Sequence, residues 1–133
     1  MSIFTEKERA YLAGQRIGRL ATVDAAGRPH VVPVQYRFNA EADAVEIGGR
    51  DFGSSKKFRD ARKTGRVAFV VDDVGPDGRP RFIELRGAAE VHLTGFEAVR
   101  DGVDPQFIRV RPERVFAWGI DSADFGADAR DVS

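Results

Sequence analysis

Short apolar runs separated by tight turns fill most of this chain and leave almost no room for crossover helices. Residues 17–23, 29–38, 44–49, 67–71, 82–93, 107–110 and 114–120 carry the β-branched and aromatic side chains that favour strands. The links between them have turn chemistry. Asp24-Ala25-Ala26-Gly27 joins the first two runs as a hairpin, residues 39–43 turn again, and Gly75-Pro76-Asp77-Gly78-Arg79-Pro80 is an exposed turn. Residues 67–71 are apolar throughout and predict a strand buried on both faces. Pro112 cannot donate to a ladder, which predicts a break between the last two runs. Six or seven strands with no βαβ rhythm predict a mainly β fold with few helices, an antiparallel barrel whose closure removes exposed edges.

Only two segments read clearly as helices. Thr5-Glu6-Lys7-Glu8 has the form of a capping box, with Thr5 as N-cap and Glu8 three residues on. That helix runs to about Ala13, stops at Gly14, and has few apolar positions, so the N-terminal segment 1–16 is expected to pack as a short lid. The second helix is predicted over residues 54–63, closed by Gly65, with a further short helix possible over 96–102. The tail 121–133 is polar and small and is expected to be mobile. The whole chain reads as a single domain.

The second helix is the chemically suggestive one. From Arg50 to Arg66 the chain holds seven cations against Asp51 and Asp60. The whole chain carries no net charge, with 21 basic and 21 acidic residues. Ser54 and Ser55 stand at the helix start, where free N–H groups and the positive dipole end favour an anion. A solvated basic helix is the competing reading.

Composition narrows the rest. At 133 residues and 42% hydrophobic content the chain can bury a real core without staples. It has no cysteine, so disulfides and thiolate metal sites are excluded. No apolar run reaches membrane-spanning length and the N-terminus lacks signal-peptide character, so a cytoplasmic protein with no membrane partner is expected. Balanced charge gives no reason to bind nucleic acid. His30 and His92 lie in predicted strands without a carboxylate cluster, so no metal site is expected. There is no GxGxxG fingerprint, no P-loop and no nucleophile elbow, and no catalytic residue can be named. A phosphate cradle without resident catalytic groups suits chemistry carried by a bound phosphorylated cofactor.

Five segments in order carry a resemblance. They are Gly18-Arg19-Leu20-Ala21-Thr22-Val23, Gly27-Arg28-Pro29-His30-Val31-Val32-Pro33-Val34, Ser55-Lys56-Lys57-Phe58-Arg59-Asp60, Arg66-Val67-Ala68-Phe69-Val70-Val71-Asp72-Asp73 and Leu85-Arg86-Gly87-Ala88-Ala89-Glu90-Val91. Together they resemble the pyridoxamine 5'-phosphate oxidase-like split-barrel flavoproteins, most closely the deazaflavin (coenzyme F420)-dependent reductase branch. The ending Ile108-Arg109-Val110-Arg111-Pro112-Glu113-Arg114-Val115-Phe116-Ala117-Trp118-Gly119 is similar to that branch too. The resemblance implies a six-stranded antiparallel split β-barrel of the FMN-binding type and a homodimer with the cofactor in a groove between subunits.

The chain departs from the true pyridoxamine phosphate oxidases. It lacks their C-terminal tryptophan–arginine pattern and the basic residues they place on the second strand, where Val31 and Tyr36 stand here. The resemblance therefore implies an oxidoreductase that uses coenzyme F420 to move a hydride to an unsaturated small-molecule substrate. FMN is the alternative cofactor, and a carrier of flavin, deazaflavin or haem without turnover is the alternative function. By the same resemblance, Ser55, Lys56 and Lys57 would hold the phosphate, with Ser54 at the helix cap and Arg50 and Arg59 as helpers. Pro33, Val34 and Gln35 would wall the ring, and Thr22 would contact it.

Overall fold

The computed structural model describes residues 1–99, 101–121 and 127–132. Its strands are β1 (Ile17–Val23), β2 (Pro29–Asn39), β3 (Ala44–Ile47), β4 (Arg66–Val74), β5 (Pro80–His92), β6 (Phe107–Trp118) and β7 (Ala127–Asp131). They hydrogen-bond in the order β3-β2-β1-β4-β5-β6-β7, all antiparallel, and a further β3–β6 pairing closes the first six into a barrel. The expected mainly β barrel is the fold. Two α-helices accompany it, α1 (Glu6–Gly14) and α2 (Lys56–Thr64).

Alternation along the strands builds the core. In β1 the even positions Gly18, Leu20 and Thr22 are buried, and β2 sends in Val34 and Tyr36. Gly18 is required here, because a side chain would run into the Phe69 ring that packs edge-on against Tyr36 at 5.2 Å. In β4, Val67, Phe69 and Val71 point inward, while Ala68 and Val70 on the other face are only half-buried. The apolar run is therefore a one-sided strand rather than one buried on both faces. Each fully buried aliphatic or aromatic side chain contributes roughly 1.5–3 kcal/mol.

β6 is continuous through Pro112, contrary to the predicted break. The β5–β6 register shifts between Arg86 and Gly87, so that Gly87 faces Pro112 while Arg86 faces Arg114. The extra residue, Glu113, makes a bulge, and a bulge tolerates the missing N–H of proline. Gly87 fits this corner because an added Cβ would collide with the Arg111 carbonyl. Among the described residues of 96–102, Phe96–Ala98 form a 3-10 turn.

Of the tail expected to be mobile, residues 122–126 and 133 lie outside the described residues, while 127–131 form a strand. β7 pairs along β6 from Trp118↔Ala127 to Arg114↔Asp131. Arg130 reaches back to the first helix, donating to both carboxylate oxygens of Glu8 and to the Ile3 carbonyl. The capping box of α1 is present as predicted, with the Glu8 amide donating to Thr5 Oγ1 and the Thr5 amide to Glu8 Oε1. The same Glu8 is completely buried.

A second buried carboxylate lies on β3. Glu46 is fully buried and accepts from Arg37 at 2.7 Å, Arg109 at 2.7 Å and Asn39 at 3.2 Å. Burial pushes its pKa up, but the Arg109 and Arg37 hydrogen bonds outweigh this and hold it below the ordinary value. Beside it Glu90 is held at about 2, chiefly by its hydrogen bond from Arg111. Both folded pKa values lie below the unfolded ones, so their stabilisation is complete above the unfolded value and is lost as acid titrates the folded groups. Stability should therefore fall as pH drops from about 4.5 towards 2. Denaturant melts of wild type and Glu90→Gln measure this, and the variant should show a shallower acid slope.

Candidate functional site

The loop after β3 builds the site. Gly48 and Gly49 follow the strand, and an added side chain at Gly48 would strike the Phe96 ring. Asp51 then takes the left-handed conformation at φ 52°. The left-handed conformation costs a non-glycine residue about 1–2 kcal/mol. This tight turn starts a 3-10 segment, Phe52–Ser54, which leads into α2.

α2 forms where predicted but starts two residues later than the expected position 54. Ser55 is its N-cap, with Oγ accepting from the Phe58 amide, and Gly65 ends it at φ 72° with its amide donating to the Ala61 carbonyl. Phe58 and Ala61, three apart, form the buried face. Phe58 packs edge-on against Phe52 at 5.4 Å. The basic side chains are left on the rim.

The geometry sorts those cations. Lys56 donates to Asp60 at 2.9 Å and lies 3.9 Å from Asp24. Arg59 donates to the Ser54 carbonyl at 2.6 Å. Ser54 Oγ donates to the Asp51 carbonyl, and Ser55 Oγ donates to the Phe52 carbonyl at 2.6 Å, so both hydroxyl protons are committed within the chain. Lys57 instead stands over the Phe52 ring with Nζ 5.5 Å from its centroid. It lines a cavity of about 280 Å³ together with Pro33, Val34, Gln35, Gly48, Gly49, Arg50 and Phe52.

Five of the predicted residues thus meet in one cavity: Arg50, Lys57, Pro33, Val34 and Gln35. Ser54, Ser55, Lys56 and Arg59 stay outside its wall. Thr22 is buried on the inner row of β1, and does not line it either. Sequence reasoning missed Gly48, Gly49 and Phe52. The Gly-Gly pair directly after a strand was the signal for a close backbone approach.

Among the described residues, neither Arg50 nor Lys57 has a carboxylate partner, and no acid lines the cavity. Several arginines elsewhere on the surface are paired with acids, as in Arg19–Asp72, Arg66–Glu113 and Arg81–Asp73. Arg50 and Lys57, beside the glycine backbone of Gly48 and Gly49 and an apolar wall, could hold an anion there. The residues present therefore fit a phosphate-bearing ring cofactor.

The model of the family described as pyridoxamine 5'-phosphate oxidase matches residues 4–119. The chain belongs to that family. Within it, the chain is 45% identical over 134 residues to the 5a,11a-dehydrotetracycline/5a,11a-dehydrooxytetracycline reductase of Streptomyces rimosus subsp. rimosus, covering 98% of this chain and 94% of that protein. With a near full-length reductase relative, this member of the pyridoxamine 5'-phosphate oxidase family is an oxidoreductase. Its fold is similar to a solved F420 reductase, with a TM-score of 0.64 and 23% identity over 84% of this chain and 98% of the other. It is similar also to an FAD-binding protein from Mesorhizobium loti, with a TM-score of 0.62 and 22% identity over 84% and 92% of the two chains. Among the described residues no helix is long and apolar enough to cross a membrane.

Proposed function

We propose that this chain is a coenzyme F420-dependent reductase acting on a conjugated, polycyclic carbonyl compound of the dehydrotetracycline kind. The observation that carries the cofactor reading is the convergence of Arg50 and Lys57, both without acid partners, on the cavity walled by Pro33, Val34 and Gln35. The substrate class is supported by the 45% identical reductase relative, and the deazaflavin by the fold neighbour named as an F420 reductase. When bound in reduced form, a deazaflavin supplies a hydride. Lys57 and Arg50 bind the anionic tail, and charge-assisted bonds of this kind are the strong ones. Pro33 offers no N–H, so the strand presents a flat wall there. Such a hydride would add to one carbon of the substrate double bond, with a proton adding to the other. No Asp or Glu lines the cavity.

The working unit in this proposal is a homodimer. Val31, on β2 two residues before Pro33, is 66% exposed, and a second subunit is the natural cover. Light scattering at micromolar concentration should give twice the chain mass.

Titration with F420, FMN and riboflavin tests the cofactor. F420 should bind tightest, and its affinity should fall as salt screens the exposed cations. Reduced F420 should then be oxidised by 5a,11a-dehydrotetracycline in stopped flow. If riboflavin binds as tightly as F420, the anion site is not the cofactor's anchor. If F420 binds but no unsaturated substrate oxidises it, the chain is a carrier.

A further inference from the structure

A second cavity, of about 360 Å³, adjoins the first. It is lined by Gln15, Arg16, Ile17, Gln35 and Tyr36, and it shares Gln35 with the Lys57 cavity. The two are therefore neighbours along β2, one on either side of Gln35. Ile17 is the β1 partner of Gln35 in the ladder, so the second cavity sits where the α1–β1 connection meets the barrel.

Its only charged lining residue is Arg16, which is exposed. Among the described residues Arg16 has no carboxylate or hydrogen-bond partner. The acids nearby in the sequence of contacts are already taken. Asp73, which Gln15 reaches at 3.4 Å, accepts from Arg81 at 2.7 Å and from the Tyr11 hydroxyl at 2.8 Å. Asp72 is paired with Arg19 at 2.7 Å. Across both cavities the cations stand at the two ends, Arg50 and Lys57 at one and Arg16 at the other, with no carboxylate among the lining residues. In a chain of zero net charge this segregation leaves room for two anions.

Resting on the reading of the first cavity as the cofactor site, we propose that the second is the substrate compartment, in which Arg16 selects substrates bearing an ionised enol or carboxylate oxygen. Its planar fork of N–H donors matches the paired oxygens of a carboxylate or a 1,3-dicarbonyl enolate. Ile17 and Tyr36 supply the apolar wall for the carbon skeleton, and Gln35 stands at the junction between the two ligands.

Two probes test this by binding to F420-loaded protein. Tetracycline carries an ionised tricarbonyl enol at neutral pH, and menadione is flat and neutral. Arg16→Ala should weaken tetracycline binding by about tenfold or more, the scale of one charge-assisted hydrogen bond. Menadione and F420 affinities should stay within about twofold of wild type, and Arg16→Lys should recover part of the tetracycline loss because it keeps the charge without the fork. An unchanged tetracycline affinity in Arg16→Ala, or an equal loss for both probes, overturns the proposal. Failure of wild-type protein to bind F420 overturns the cofactor reading instead, and the Arg16 contrast between the two probes in unloaded protein still decides the role of the arginine.

Discussion

On the proposed cofactor reading, Lys57→Ala should weaken coenzyme F420 binding by about ten- to a hundredfold and leave the fold intact. One charge-assisted hydrogen bond contributes about 1.5–3 kcal/mol, and 1.4 kcal/mol is a decade of affinity. Lys57 is the α2 cation that faces the cavity, and it stands in the first helical turn, where free N–H groups and the dipole also favour an anion. The fold is spared for the same reason. A cation at a helix N-terminus is locally unfavourable when its anion is absent, so its removal costs the apo protein little. Two controls separate a site from a basic helix. Lys56 is held by Asp60, and Lys63 lies in the last turn, so Lys56→Ala and Lys63→Ala should each leave affinity within about twofold. Cofactor titration and thermal melting of the apo proteins measure all three. Equal losses for Lys57→Ala and Lys63→Ala would show only a solvated cationic face.

Arg130→Ala should be the most destabilising of the surface-chain substitutions, at about 3–5 kcal/mol, the range for breaking a buried ion pair from one side. Glu8 is completely buried and Arg130 is its charged partner, at 3.1 Å through Nη1 with a second contact through Nη2. Removing the guanidinium leaves a buried carboxylate whose remaining support is the Thr5 amide. It also frees the Ile3 carbonyl, so α1 and β7 lose their common tie. For a domain of this size the melting temperature should fall by roughly 10 °C or more. The double variant Glu8→Gln with Arg130→Ala should recover part of the loss, because it removes the stranded charge. Calorimetry of the wild type, both single variants and the double variant gives the coupling. If Arg130→Ala melts within about 2 °C of wild type, β7 does not clasp the N-terminal helix.

Local rules made much of the barrel legible. Period-two patterns located most strands, Gly65 and Ser55 marked the ends of α2, and Thr5 with Glu8 marked the start of α1. Pro112 misled because proline forbids a ladder donor only where the ladder needs one, and the β6 bulge opposite Gly87 does not. β7, at 127–131, was not legible because its residues are small or polar. It is stabilised by pairing with β6 and by Arg130 at Glu8, neither of which is visible within the segment.

By itself, the sequence determined most of the elements and their class, the concentration of cations around α2, and the family to which that order of segments belongs. These follow from short-range chemistry: alternation, caps, turns and composition. Only the tertiary structure decided which cations are free. Lys56 and Lys57 are adjacent and chemically identical, yet a helix turns about 100° per residue, which sends one to Asp60 and Asp24 and the other over Phe52 into the cavity. It likewise buried Glu8, a residue whose local role is a surface cap, because an arginine 122 positions away came back to meet it.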